Sequence, residues 1–260
     1  MKLILSLVSF LSGLLTLACI AGDVPTKTAS AHIVFMIGED EYHTWETLPE
    51  FAEKDLKPLG YRISIIHADA ADKNQFPGLT TALREADLLF LSVRRRTPPK
   101  EQLDAVRAYL ATGKPLVGIR TACHAFALLP KDKPADPKLA AWPEFDPEVI
   151  GGHYTGHYGK GQAAVSLAPG ADAHPILRGV AVSNLIGTAG LYKVSPLAAT
   201  TVPLLMGAIP GQPAEPIAWT NRHGEKQGRI FYTSLGAPDE FKILDFRKML
   251  VNAVAWALSK

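Results

Sequence analysis

The stretch His32-Ile33-Val34-Phe35-Met36-Ile37-Gly38 is a continuous apolar run that ends in glycine. Such a run is typical of a strand that is buried on both faces, as in a parallel sheet. Three more strands are predicted downstream, at 62–68, 87–93 and 115–119. Between them, apolar residues recur every three or four positions, which predicts helices at 44–59, 79–85 and 98–110. The alternation of strand and helix predicts an α/β fold with a doubly wound, mostly parallel sheet.

The second half of the chain has a different pattern. Five prolines within 129–147 predict an irregular loop, and the next segment, 151–161, is rich in Gly, His and Tyr. Strands are predicted at 163–167, 202–209, 217–221 and 229–234, with a hairpin turn at 223–228, and a closing helix at 246–258. No internal repeat or low-complexity tract is present. We therefore expect residues 31–259 to form a single domain.

Composition narrows the classes of function. The 260 residues are 47% hydrophobic and 20% charged, which is globular and excludes extensive disorder. A net charge of +2 is too small for a nucleic-acid-binding protein, and two Cys cannot form a disulfide framework. We expect a small-molecule ligand and no nucleic acid, cofactor or bound metal. A homo-oligomer is left open.

The N-terminus predicts export. Met1-Lys2 precedes an uncharged, largely apolar run over 3–20, and Cys19-Ile20-Ala21 approximates a cleavage site. Residues 1–21 are therefore expected to be a signal peptide and 22–30 a linker, which places the protein in the periplasm or outside the cell. Two alternatives remain: a retained membrane anchor, or lipidation of Cys19 despite a poor lipobox. Only these alternatives would bring the protein to a membrane.

Polar residues follow three of the predicted parallel strands. Ligands of open parallel sheets bind beyond the carboxyl ends of the strands. The residues predicted at this rim are Glu39, Asp40, Glu41, Tyr42, His43, Arg94, Arg95, Arg96, Arg120, Thr121, Cys123 and His124. Together they favour a polar, carbohydrate-like ligand. The alternative is that the arginines pair with acids in solvated loops and that the glutamates only begin a helix.

Two local patterns carry candidate chemistry. Cys123 and His124 are adjacent, whereas a catalytic Cys–His pair is usually distant in sequence, so a buried thiol is expected. In the segment 151–159, His153 and His157 are four residues apart and would face the same side of a strand. A sugar-binding surface, a metal site and plain packing all fit this spacing.

Several motifs in combination resemble the ThuA-like (trehalose utilisation) family, in particular its exported bacterial members. The matching stretches are 38–42, 47–49, Gly118–Phe126, 142–145, 151–158 and 232–239. The resemblance covers about residues 31–259. It implies a flavodoxin-like fold, similar to the three-layer sandwich of class I glutamine amidotransferases, and a role in carbohydrate utilisation.

The resemblance to amidotransferases also predicts what the chain lacks. Their nucleophilic Cys lies on a tight turn after a strand, and Gly118–Ala122 has Arg120 at that position. Their catalytic His, which ThuA-like relatives usually share, is replaced by Ala237. We therefore expect no glutamine hydrolysis.

These patterns lead to three functional hypotheses. In the first, the protein acts on a sugar of the trehalose or keto-disaccharide type, with His157, Arg120 and Glu41 as catalytic residues. The residues expected to bind substrate are Glu39, Tyr42, Arg95, His124, His153, Tyr158 and Asp239. The second hypothesis is a non-catalytic sugar-binding or interaction module. The third is a metal-dependent hydrolase that uses His153 and His157.

Overall fold

The computed structural model describes residues 31–129, 136, 138–159 and 161–259. The predicted signal peptide, 1–21, and the linker, 22–30, lie outside the described residues. Among the helices within those ranges, none has the length and apolarity needed to span a bilayer.

Strands and helices alternate through the first half of the described chain and strands dominate the second. The strands are β1 His32–Gly38, β2 Arg62–His67, β3 Leu88–Val93, β4 Leu116–Ile119, β5 Gly156–Tyr158, β6 Ala163–Leu167, β7 Ile186–Gly187, β8 Leu191–Lys193, β9 Val202–Ala208, β10 Glu215–His223 and β11 Gly228–Thr233. The α-helices are α1 Thr44–Phe51, α2 Leu79–Glu85, α3 Lys100–Ala111 and α4 Leu244–Leu258. Short helical turns include Arg120–His124, Asp146–Ile150 and Glu240–Lys242.

Nine strands form one sheet in the order β2-β1-β3-β4-β11-β10-β9-β6-β7. Five of them, from β2 to β11 in this order, are mutually parallel. The remaining four extend the sheet through antiparallel pairings. The fold is therefore mixed α/β with a large, mostly parallel sheet, as predicted.

Side chains from the two faces of the parallel strands enter separate hydrophobic clusters. On β1, Phe35 packs with helices α1 and α4, whereas Met36 packs with α2 and α3. Phe35 stacks on Phe90 of β3 with ring centroids 4.7 Å apart. All residues of β1, β3 and β4 are buried, because helices cover these strands on both faces.

The predicted helix 44–59 is not one continuous α-helix. Helix α1 ends at Phe51, and the chain continues as a π-helical turn Ala52–Leu56 and a 3₁₀ turn Lys57–Leu59. Gly60 ends the segment with a φ of 87°, the left-handed conformation that glycine adopts readily at the end of a helix. The strands β7 and β8, by contrast, were not predicted.

Candidate active site

The turn after β4 has a strained backbone at Arg120. This residue has a φ of 47°, in the left-handed region that non-glycine residues rarely occupy. Its carbonyl oxygen accepts a 2.6 Å hydrogen bond from the Tyr232 hydroxyl of β11, which fixes the turn from the neighbouring strand. The turn has the sharp geometry of a nucleophile elbow, but it presents a guanidinium group instead of a nucleophile.

The Arg120 side chain is enclosed between two tyrosines. It is 2% exposed, and its guanidinium carbon lies 4.3 Å from the ring centroid of Tyr42 and 4.2 Å from that of Tyr192. The guanidinium donates to the Ser234 carbonyl at 2.5 Å, the Gly190 carbonyl at 3.3 Å and the Tyr42 hydroxyl at 3.2 Å. All three acceptors are neutral, so the positive charge is buried without a direct counterion among the described residues.

Glu39 organises the loop that follows β1. It is 3% exposed, and its carboxylate accepts hydrogen bonds from the backbone N–H groups of Glu41, Tyr42 and Thr44 at 2.6–2.7 Å. It also accepts the Thr44 hydroxyl at 2.7 Å. With its oxygens occupied, Glu39 presents Glu41 and Tyr42 to the site instead of binding a ligand itself.

Ion pairs account for two of the three arginines after β3. Arg94 binds Glu41 with its Nε 2.9 Å from the carboxylate, and Arg96 pairs with Asp40. Arg95 has a φ of 49° and donates to the Ala127 carbonyl at 3.1 Å. Its guanidinium carbon is 5.9 Å from the ring centroid of Tyr154.

A buried aspartate orients His153. The Asp146 side chain is fully buried, and its Oδ2 lies 3.0 Å from His153 Nδ1, while the imidazole is about half exposed. Burial raises the pKa of Asp146 to about 6, and the hydrogen bond that His153 donates to Asp146 raises the pKa of His153. An aspartate that holds one ring nitrogen fixes the tautomer and leaves the other nitrogen for proton exchange.

Strands β5 and β8 form a two-stranded ribbon beside the sheet, and it carries a group of aromatic rings. The Tyr154 hydroxyl and His157 Nδ1 are 2.9 Å apart. The ring of Tyr154 lies 4.4 Å from that of His124 and 4.5 Å from that of Tyr192, by centroids. His124 is 3% exposed, and its pKa is held well below the usual range, first by burial and then by Arg95, Arg94 and Arg120.

These groups surround one cleft of about 1030 Å³ at the carboxyl ends of the parallel strands. The sequence-predicted site residues that line it are Glu41, Tyr42, Arg95, Arg120, His124, His153 and His157. A cleft of this volume, with aromatic walls and several hydrogen-bonding groups, fits a small polar molecule. The structure therefore brings seven of the predicted site residues together around one cleft.

Three residues predicted to bind substrate are not among those that line the cleft. Glu39 lies beneath its loop. Tyr158 alternates with His157 along β5 and so faces the other way, where its ring contacts Lys193 at 4.2 Å and its hydroxyl approaches Glu215. Asp239 is exposed and pairs with Lys242 at 2.6 Å.

Cys123 cannot act as the nucleophile of an amidotransferase in this arrangement. Its thiol is 0% exposed and accepts a hydrogen bond from the Tyr232 hydroxyl at 3.0 Å. Burial raises the pKa of the thiol far above its ordinary value, so the reactive thiolate is disfavoured. In the part of the chain that the structure describes, no three His, Cys, Asp or Glu side chains are grouped to hold a metal ion.

Sequence reasoning missed three groups of the site. Asp146 lies in a proline-rich segment that we predicted to be an irregular loop, and it belongs to the helical turn Asp146–Ile150. Tyr154 and Tyr192 contribute the aromatic walls. Tyr154 lies beside His153 in the predicted Gly/His/Tyr-rich segment, whereas no local pattern marks Tyr192, which reaches the site only through the pairing of β8 with β5.

The sheet, the elbow and this cleft define an α/β protein with a polar cleft at the ends of its parallel strands. The family described as ThuA, trehalose utilisation, matches residues 39–257, and the chain belongs to this family. No curated protein sequence matches the chain.

Two solved structures of ThuA-like proteins share the fold. The protein from Bacteroides uniformis ATCC 8492 is 18% identical, with a TM-score of 0.67 over 92% of this chain and 96% of that one. The protein from Parabacteroides merdae ATCC 43184 is 16% identical, with a TM-score of 0.62 over 88% of this chain and 90% of that one. At these identities the similarity concerns the fold alone.

Proposed function

We propose that this protein binds a sugar of the trehalose or keto-disaccharide type in the cleft and acts on it by proton transfer. The observation that carries this proposal is the pair formed by buried Asp146 and half-exposed His153, in the same cleft as Arg120. The Asp146–His153 pair can act as a general base, and Arg120 supplies a fixed positive charge. A sugar bound between them can lose a proton to His153, and Arg120 then stabilises the negative charge that forms on the sugar.

In the proposed reaction, Asp146 holds His153 through Nδ1 and the Nε2 atom takes a proton from a sugar hydroxyl or from a carbon next to a carbonyl. His157, hydrogen-bonded to Tyr154, returns a proton. Arg120 and Arg95 stabilise negative charge on oxygen. Glu41 and Tyr42 bind hydroxyl groups, and the tyrosine rings stack against the apolar face of the sugar.

Two finer points belong to this proposal. A three-layer arrangement like that of class I glutamine amidotransferases is supported by the packing of α1 and α4 on one face of the sheet and of α2 and α3 on the other. Export to the periplasm or the medium, through a signal peptide over residues 1–21, is supported by the apolar run at 3–20.

A turnover assay tests the proposed function. The protein is incubated with trehalose and with its keto derivatives, and the products are followed by mass spectrometry. We expect turnover that falls at least about a hundredfold in His153→Gln, since general-base groups contribute about 10²–10⁴ to rates. His174→Gln is the matched control, because His174 packs on Trp256, and His174 is not among the residues that line the cleft.

The outcomes separate the hypotheses. Binding that depends on the residues of the cleft, without turnover of any sugar, would identify a non-catalytic sugar-binding module. Turnover that is equal in wild type and His153→Gln would show that the Asp146–His153 pair is not the base. Absence of sugar binding would refute the proposed function itself.

A further inference from the structure

The charges that line the cleft are unbalanced. Three guanidinium groups line it, whereas Glu41 is the one carboxylate in the described lining. Glu41 is already paired with Arg94. Among the described residues, no carboxylate oxygen lies within 4.0 Å of Arg95 or Arg120. The cleft therefore carries positive charge that the described protein does not neutralise by direct pairing.

Arg120 makes this imbalance costly, because its charge is removed from water. Its guanidinium is stacked between Tyr42 and Tyr192, and it donates to neutral oxygens. The buried Nε–H has no hydrogen-bond partner in the described part of the protein. An unpaired buried cation is destabilising, and a bound anion offsets that cost.

His124 lies close to the same arginines. Its imidazole lies between the tyrosine rings of the cleft, and after burial the largest causes that lower its pKa are Arg95, Arg94 and Arg120. Burial and these three arginines together keep the imidazole neutral, so His124 adds no positive charge of its own to the cleft. Two other acids lie nearby. Asp146 is committed to His153, and Glu240, whose negative charge acts on Arg120 from a distance, accepts four hydrogen bonds from other groups.

We infer that the sugar taken by this cleft carries a carboxylate, which binds at the end formed by Arg95 and Arg120. This inference rests on the proposed function: it keeps a sugar as the ligand and replaces the neutral trehalose type with an acidic derivative. Planar guanidinium groups match the two oxygens of a carboxylate. The half-buried ring of Tyr154 and the exposed rings of His153 and His157 remain available for the rest of the sugar.

A matched pair of ligands tests the charge alone. Glucuronate and glucuronamide share one ring and differ only in carboxylate against neutral amide. By titration calorimetry on the full chain we expect glucuronate to bind about fivefold more tightly, since hydrogen bonds to charged groups are stronger by about 1 kcal/mol, which is about fivefold in affinity. The preference for glucuronate should decrease as the salt concentration is raised from about 0.01 M to about 1 M, because salt screens the attraction between the carboxylate and the arginines.

Variants locate the charge. Arg95→Met, at the half-buried edge of the cleft, should reduce the preference for glucuronate to about twofold or less. Arg84→Met, at an exposed position of α2, is the control and should leave the preference for glucuronate unchanged. Because removing Arg120 could unfold the elbow, Arg120→Lys is used there, and it should keep the preference for the acid while lowering affinity.

Each outcome bears on the inference. If glucuronamide binds as tightly as glucuronate or more tightly, and trehalose binds as well, the inference that the sugar carries a carboxylate is wrong. The proposed function is then unaffected. Preferential binding of glucose 6-phosphate or inorganic phosphate would show that the cleft takes a phosphate and that the carboxylate proposal is wrong. If neither acidic nor neutral sugars bind, the proposed function and this inference fail together.

Discussion

Replacing Asp146 with asparagine tests whether the site holds a carboxylate that has been removed from water. Asp146 is fully buried, its Oδ2 meets His153 Nδ1 at 3.0 Å, and its Oδ1 has no hydrogen-bond partner among the described residues. Burial raises its pKa from the ordinary 3.8 to about 6. The folded state therefore binds this proton more tightly than the unfolded chain does, and ionisation of Asp146 destabilises the fold.

The rise in the pKa of Asp146 from 3.8 to about 6 corresponds to about 3 kcal/mol. Because the folded pKa lies above the unfolded one, the stability contributed by the protonated carboxyl is fully present below about pH 4 and is lost as the pH rises to about 6. The raised pKa of His153 acts in the same direction, since its stabilising contribution is lost as the pH rises through the folded pKa. The asparagine side chain of Asp146→Asn resembles the protonated carboxyl and does not ionise. The free energy of unfolding of the variant, relative to that of the wild type, should therefore rise by about 1.4 kcal/mol from about pH 5 to about pH 8.

Urea unfolding followed by tryptophan fluorescence measures this difference at the two pH values. The control is Asp172→Asn, which changes an exposed loop carboxylate. Its free energy of unfolding should stay at a constant offset from that of the wild type. If the advantage of Asp146→Asn is the same at both pH values, or shrinks toward the higher one, then Asp146 is not a desolvated ion and the reasoning is wrong.

Three further substitutions test the packing around the site. Trp219→Phe removes the 2.8 Å bond from Nε1 to the buried Ile150 carbonyl and should lower the free energy of unfolding in urea by about 1–3 kcal/mol; an unchanged value would contradict this. Phe90→Ala should lower it by about 3–5 kcal/mol because the ring is fully buried, whereas Leu244→Ala, at a residue 74% exposed, should stay within about 0.5 kcal/mol. Glu240→Gln replaces a buried carboxylate that accepts four hydrogen bonds, and it should cost about 1.5–3 kcal/mol and lower the melting temperature by several degrees; a wild-type melting curve would rule out this role.

The parallel half of the sheet could be predicted because its strands are buried on both faces. A run such as β1 or β3 is apolar at almost every position, and a short apolar run of this kind between turn signals is typical of a buried strand. Strands β7 and β8 have two and three residues, which is too short for any periodicity to appear. The change from α-helix to a π-helical turn after Phe51 leaves the spacing of the apolar residues close to helical, so the sequence pattern does not show it.

The site was predictable where it follows the ends of strands. The position of Arg120 after β4 follows from the strand itself, and the rule for open parallel sheets then brings it to the cleft. The partners of these residues could not be predicted in this way. Glu39 looked like Glu41 in sequence, and only the fold shows that one is buried beneath its loop while the other lines the cleft. Asp146 lies in a segment that the sequence predicts to be an irregular loop. Its role could not be predicted, because that role depends on a contact with His153 that no local pattern indicates.

The pairing of β4 with β11 affects when the site can be assembled. Tyr232 reaches Arg120 and Cys123 across 112 and 109 positions of the chain, and Arg120 donates to Ser234 across 114. During synthesis, the strained turn at Arg120 emerges long before the strand that holds it. Contacts at such sequence separations form slowly, because a long loop must close before they bring any gain. The cleft should therefore form only after β11 has left the ribosome, and truncation before β11 should abolish it completely.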